Sequence, residues 1–265
     1  MQDIIKVDFF IKAESWEISI VVFIGMILFI FLGKKAGERS AYKKIVSDDS
    51  IVSTGIYTLM AFLLAFTFTM AGTRYDSRKK IIIDEANSIG TAVLRSGLYP
   101  DSIKSMFMAD FREYLEARIR FMEANVNLKE IIESLEETDL YGGKLFSRAA
   151  ELSRKPEYLV ASNQMIPALN EMLDIANSRF HGELYKVPEP IIFMLFSLLI
   201  ITAFIFGYTS SVSGKKINWH IALSYCLITI IIIYLMLDFD RPRRGIITLE
   251  DSNKAILSLR SMFKQ

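Results

Sequence analysis

Four runs of the chain carry no Asp, Glu, Lys or Arg, namely 18–32, 51–72, 190–208 and 217–237. Nothing else in the sequence constrains the fold as strongly, because apolar runs of this length need a hydrocarbon environment on their outer faces. The charge-free stretch 54–72 makes about 28 Å of helix, which matches a bilayer core. The connections after the first and third runs are short and basic, with Lys34, Lys35, Arg39, Lys43 and Lys44 in one and Lys215 and Lys216 in the other. Glu14 and Glu17 precede the first run and Lys34 and Lys35 follow it. A cleavable signal would want the reverse order and a small-x-small site, so this run is expected to be a retained helix with Trp16 at the interface.

The region 73–188 changes character. Charges recur every few residues, and Met106, Phe107, Phe111, Tyr114, Leu115 and Ile119 repeat at helical spacing. Pro100-Asp101, Gly142-Gly143 and Pro156 punctuate it, which predicts helices near 76–98, 102–137, 144–153 and 157–184, the second behind an Asp101 or Ser102 cap. A last helix is expected near 249–263. The expected fold is therefore an all-α integral membrane protein of four transmembrane helices, with a helical cytoplasmic domain between the second and third. Its segments are a first helix pair over 1–72, the helical domain over 73–188, a second pair over 189–238 and a cytoplasmic tail over 239–265.

With four spans, both termini and the large domain share one side. Lys6, Lys12, Arg74, Arg78, Lys79, Lys80, Arg179, Lys186, Arg241, Arg243 and Arg244 flank the membrane there. These outnumber the basic residues of the two connecting loops, so the positive-inside rule places the termini and the domain in the cytoplasm of a bacterial inner (plasma) membrane protein. The basic first loop pulls the other way.

Composition narrows the chemistry. The 31 basic and 30 acidic residues leave a formal charge of +1, so no global field selects nucleic acid. Cys226, His181 and His220 are the entire complement of cysteine and histidine, too few for a disulfide framework or a Cys/His metal cluster. No phosphate-binding glycine loop and no paired zinc histidines occur. The expectation is no enzyme, no cofactor and no metal; a membrane enzyme would have only the carboxylates Asp84, Glu85, Asp238 and Asp240 to work with. Cys226 reads as a small apolar residue within the fourth span, and His220 beside Trp219 as an interfacial anchor.

The second span is the most informative stretch. Thr58, Phe62, Phe66, Thr69 and Thr73 fall on one helical face, while Ala61, Ala65 and Gly72 lie beside it and let another helix approach closely. Hydroxyls interrupted by aromatic rings suit a pore, since phenylalanine can gate by dewetting and can present its positive ring edge to an anion. The plainer alternative is that the hydroxyls bond their own helix and the rings pack.

Two basic clusters follow the spans. Arg74, Arg78, Lys79 and Lys80 come after the second, and Asp238, Asp240, Arg241, Arg243 and Arg244 after the fourth. They serve as topology anchors and lipid contacts, as an anion-concentrating funnel, or, with Asp238 and Asp240 pairing to Arg241 or Arg74 and Pro242 making a turn, as a clasp on helix ends. Asp84 and Asn87 share a face of the emerging helix, where a buried polar layer or a vestibule lining is expected.

The segments 65–76, 84–91 and 237–245, reading AFTFTMAGTRYD, DEANSIGT and LDFDRPRRG, resemble the bacterial bestrophin-like family of unknown function along essentially the whole chain. The second span also resembles that of the true bestrophins, where a run ending in Thr-Arg-aromatic follows the pore aromatics. The resemblance implies a pentameric anion channel with cytoplasmic termini, with Phe62 and Phe66 as two neck aromatics. Thr58 stands where an isoleucine completes that neck, and Asp238-Phe-Asp-Arg-Pro-Arg-Arg replaces the acidic calcium clasp of the animal proteins. The expected function is a homo-oligomeric, anion-preferring ion channel whose partners are its own copies, membrane lipids and inorganic ions such as chloride. The alternative is a membrane-anchored interaction or signalling module that binds a cytosolic partner.

Overall fold

The computed structural model describes residues 14–42, 50–214, 216–241 and 243–264; Lys6, Lys12, Lys43, Lys44, Lys215 and Pro242 lie outside them. The chain is all-helical over the described residues: α1 Ser15–Tyr42, α2 Ser50–Arg95, α3 Asp101–Glu123, α4 Leu128–Leu152, α5 Leu159–Leu184, α6 Glu189–Val212, α7 Trp219–Phe239 and α8 Glu250–Ser258. Four helices, α1, α2, α6 and α7, are long and apolar enough to cross a membrane, the mark of a multi-pass membrane protein. Two compact units form. The first holds α1, α2 up to Arg74, α6 and α7; the second holds the rest of α2 from Tyr75, α3 to α5 and the segment from Arg243 through α8.

In the first unit, Met26, Ile30, Leu195, Leu199, Cys226 and Ile233 form a buried centre. The closest helix approach uses glycines: a side chain at Gly33 or Gly37 of α1 would run into the backbone of Phe204 or Tyr208 of α6, and one at Gly207 into the carbonyl of Ile30. Lipid supplies no hydrophobic drive between helices, so small residues that bring backbones together take its place. The Tyr208 hydroxyl donates to Ser40 Oγ at 3.1 Å across the same seam. Trp219 stacks on Phe31 with ring centres 4.7 Å apart, and the backbone of His220 is capped by the Asn218 side chain. Cys226 is buried against neighbouring helices.

The second unit departs from the sequence expectation in two places. A single helix near 102–137 is replaced by a break after Glu123: Asn125 takes a positive φ of 46°, and Asn127 caps α4 by accepting from the backbone of Lys129 and Glu130 while donating to the Glu130 carboxylate at 2.6 Å. The Asn127 backbone N–H goes to the Ala124 carbonyl at 2.9 Å, so the cap is made by the Asn127 side chain, which Glu130 holds in place. Gly142-Gly143, expected as a turn, lies inside α4. A Cβ at Gly142 would stand 2.5 Å from Leu173, so the glycine there admits α5 and makes no turn. At the start of α3, Pro100 takes the cap position without a side-chain bond, and Asp101 occupies the first turn, where its charge suits the helix dipole. Pro156 opens a 3-10 turn, and the last helix, α8, continues as a 3-10 turn through Phe263. An aromatic core of Tyr99, Phe107, Phe111 and Tyr114 packs against Leu145, Met165, Leu169 and Met172.

Candidate functional site

α2 is a 46-residue helix, roughly 70 Å long at the usual rise per residue. Within the first unit it is the least buried span: 17% of its most apolar stretch is enclosed by the chain, against 33% for each of the others. Its buried side is mostly apolar, with Met60, Leu63, Leu64 and Ala71 beside the hydroxyls of Ser53 and Thr67. Its exposed side is Ile51, Val52, Thr54, Gly55, Thr58, Leu59, Ala61, Phe62, Ala65, Phe66, Thr69 and Thr73. By contrast, the exposed sides of α1, α6 and α7 are largely Ile, Leu, Val, Phe and Met, as a lipid-facing surface requires.

The five residues singled out on this span share that exposed face. Phe62 and Phe66 are 67% and 49% exposed, with ring centres 6.4 Å apart and planes 16° from parallel. Thr58, Thr69 and Thr73 each donate their hydroxyl hydrogen to the carbonyl four residues back, at 2.9 Å. The hydrogen is thereby spent on the helix, and the oxygen lone pairs are what remains to face outward. A stripe of this kind offers small size, mild polarity and acceptor oxygens. It offers no positive charge.

The residues grouped at the membrane mouth separate in the structure. Arg78 is buried, donating to the carbonyls of Gly182 at 3.3 Å and Tyr185 at 2.5 Å, and so completes the C-terminal end of α5. Arg243 donates to the carbonyls of Phe121 and Asn125 at 2.9 and 3.1 Å, the end of α3, and pairs with Glu183 at 2.6 Å. Arg74 is half-buried beside Met70, and Lys79 lies over the Tyr75 ring. Lys80 and Asn87 are exposed, and Asp84 is half-buried. After the fourth span, Asp240 accepts from the Val187 backbone at 2.8 Å, tying the end of α7 to the lead-in of α6, and Asp238 is buried with its carbonyl accepting from the Arg241 backbone at 3.0 Å. Arg241 and Arg244 are half-buried.

The buried polar layer centres on Glu85, one residue from the pair expected to form it. Glu85 is fully buried and pairs with Arg118 through one oxygen and with Arg179 through the other, at 2.6 Å. Arg179 reaches on to Asn253, and the guanidiniums of Arg118, Arg179 and Arg243 stand 4.7, 5.6 and 4.5 Å from the centre of the Phe121 ring. Burial alone would raise the Glu85 pKa, but the two arginines outweigh it and hold the carboxyl below its ordinary range. The signal was present in the periodicity. Glu85 falls between Ile82 and Ile89, Arg118 between Phe111 and Phe121, and Arg179 after Met172 and Ala176, each at the spacing of a core position. The cavity beside Arg78, Arg179 and Glu183 is about 10 Å³, room for a single water. Among the described residues no cluster of three or more His, Cys, Asp or Glu is placed to hold a metal. Comparison with protein-family models, with curated proteins and with solved structures gives no match to the chain.

Proposed function

We propose that the protein is a homo-oligomeric ion channel of bestrophin-like type, anion-preferring, with α2 of every copy around a central axis and its helical unit and termini in the cytoplasm. The observation that supports this best is the exposed face of α2. From Thr54 to Thr73 this face is threonine, alanine, glycine and two phenylalanines with Leu59 as its one aliphatic member, which differs from the aliphatic surface of the other spans and suits close packing around a wet axis. Phe62 and Phe66 would form the constriction, with Thr58, Thr69 and Thr73 lining it. Anion preference is drawn from the sequence resemblance and from the basic residues Arg74 and Lys80 that follow the span.

The rival reading, a membrane-anchored module for a cytosolic partner, is supported by exposed apolar side chains on the second unit, including Leu94, Leu98, Leu159 and Val160. Halide flux through liposomes carrying the purified chain separates the two. Flux that rises in Phe62→Ala/Phe66→Ala places a gate in α2. No flux from wild type or variant, in protein that is folded and oligomeric, favours the anchored module.

A further inference from the structure

Of the charged residues on α2, Arg78 and Glu85 are buried, and Arg74, Lys79, Asp84 and Arg95 are half-buried. Arg78 is committed to the carbonyls of Gly182 and Tyr185, Arg95 to that of Gln164, and Lys79 sits on a tyrosine ring. Two charges are left exposed along the helix: Asp76 and Lys80. Among the described residues neither is held by an ion pair or a side-chain hydrogen bond, although they stand one helical turn apart. They follow Thr73 by three and seven positions, and the exposed spacing runs on through Ile83, Asn87, Thr91 and Leu94.

The threonines nearer the membrane spend their hydrogens on the helix and carry no charge, so they discriminate weakly between anions and cations. The sign of the ion must be read where full charges face the path. We propose that Asp76 and Lys80 are the charge-selecting residues of the channel, set as one acidic and one basic ring a turn of helix apart, through which small inorganic ions pass. Lys80 admits halide and Asp76 opposes it, so the preference for anions rests on Lys80, is tempered by Asp76, and moves with a single substitution at either. The inference rests on the channel reading. It shifts selection away from Arg78 and Arg243, whose guanidiniums are occupied by helix ends and by Glu183.

The test is the chloride-to-potassium permeability ratio of the purified full chain in planar bilayers under a KCl gradient, for wild type, Asp76→Asn, Lys80→Gln and Lys79→Gln. None of the three touches the buried layer around Glu85. Asp76→Asn raises the ratio and Lys80→Gln lowers it, each by on the order of fivefold at low salt, with both shifts shrinking toward 1 M salt as the charges are screened. Lys79→Gln leaves it near the wild-type value. A conducting wild type whose ratio is unmoved by either ring substitution, or moved as much by Lys79→Gln, overturns this assignment and leaves the channel reading standing. A wild type that does not conduct overturns both.

Discussion

The two units of this chain meet the problem of polar groups in opposite ways. In the first, the threonine hydroxyls of Thr67, Thr69 and Thr202 are satisfied by carbonyls three or four residues back on their own helix, and helices approach through glycine. In the second, polar groups are satisfied across the fold: Glu85 is met by Arg118 and Arg179, and Arg243 closes the end of α3 from more than a hundred residues away. The difference follows from composition. A helix apolar enough to cross a membrane must satisfy its polar groups by itself before it meets its neighbours, whereas a helix rich in charge can leave charges open until the fold brings their partners.

Removing the anion at the centre of the second unit should have the largest effect. Glu85→Ala leaves Arg118 and Arg179 buried without their carboxylate, and the expected loss is about 3–5 kcal/mol, read as a fall in the melting transition of that unit in detergent. The same group gives a pH dependence. Its folded pKa lies below the ordinary 4.5, so its stabilisation is fully present above that value and is lost as pH falls through the lower folded value. Wild type should therefore soften through this group as pH falls below the ordinary carboxylate value of 4.5, and Glu85→Ala should lack that component of the acid response.

In the first unit the matching lesion is steric. Gly207→Val forces a branched side chain against the Ile30 carbonyl, with an expected cost of roughly 1–3 kcal/mol and separation of α1 from α6, readable by loss of a disulfide engineered across that seam. Unchanged crosslinking would remove glycine packing as the first unit's organising contact.

The smallest effect is expected at Tyr114, whose hydroxyl is buried with no hydrogen-bond partner among the described residues. Burial raises its pKa and keeps it neutral. Tyr114→Phe removes an unsatisfied polar group and is expected to be neutral or stabilising by about 1 kcal/mol in the same melts. A clear destabilisation would mean that the hydroxyl has a partner.

How legible these features were depends on how local their causes are. The spans announce themselves by the absence of charge, and the threonine and phenylalanine stripe of α2 by spacing on one helix. The Gly33-x-x-x-Gly37 pattern was equally local and went unused. So did the Asn127-x-x-Glu130 cap, masked by the stronger turn signal of Gly142-Gly143, which packing against Leu173 turned to another use. The buried ionic layer was harder. Glu85, Arg118 and Arg179 sit at core positions of three helices, but a charge at such a position is explained only when its partner is known, and the partners lie 33 and 94 residues away.

The central claim is that the exposed face of α2 meets the same face of other copies. Its most direct test is oxidative crosslinking of Thr69→Cys in a Cys226→Ser background, in native membranes, with Ile228→Cys on the exposed side of α7 as the lipid-facing control. Rapid formation of covalent dimers at position 69 but not at position 228 is the predicted result. Equal, background-level crosslinking at both positions would contradict an axis lined by α2 and leave its threonine face without a subunit to meet.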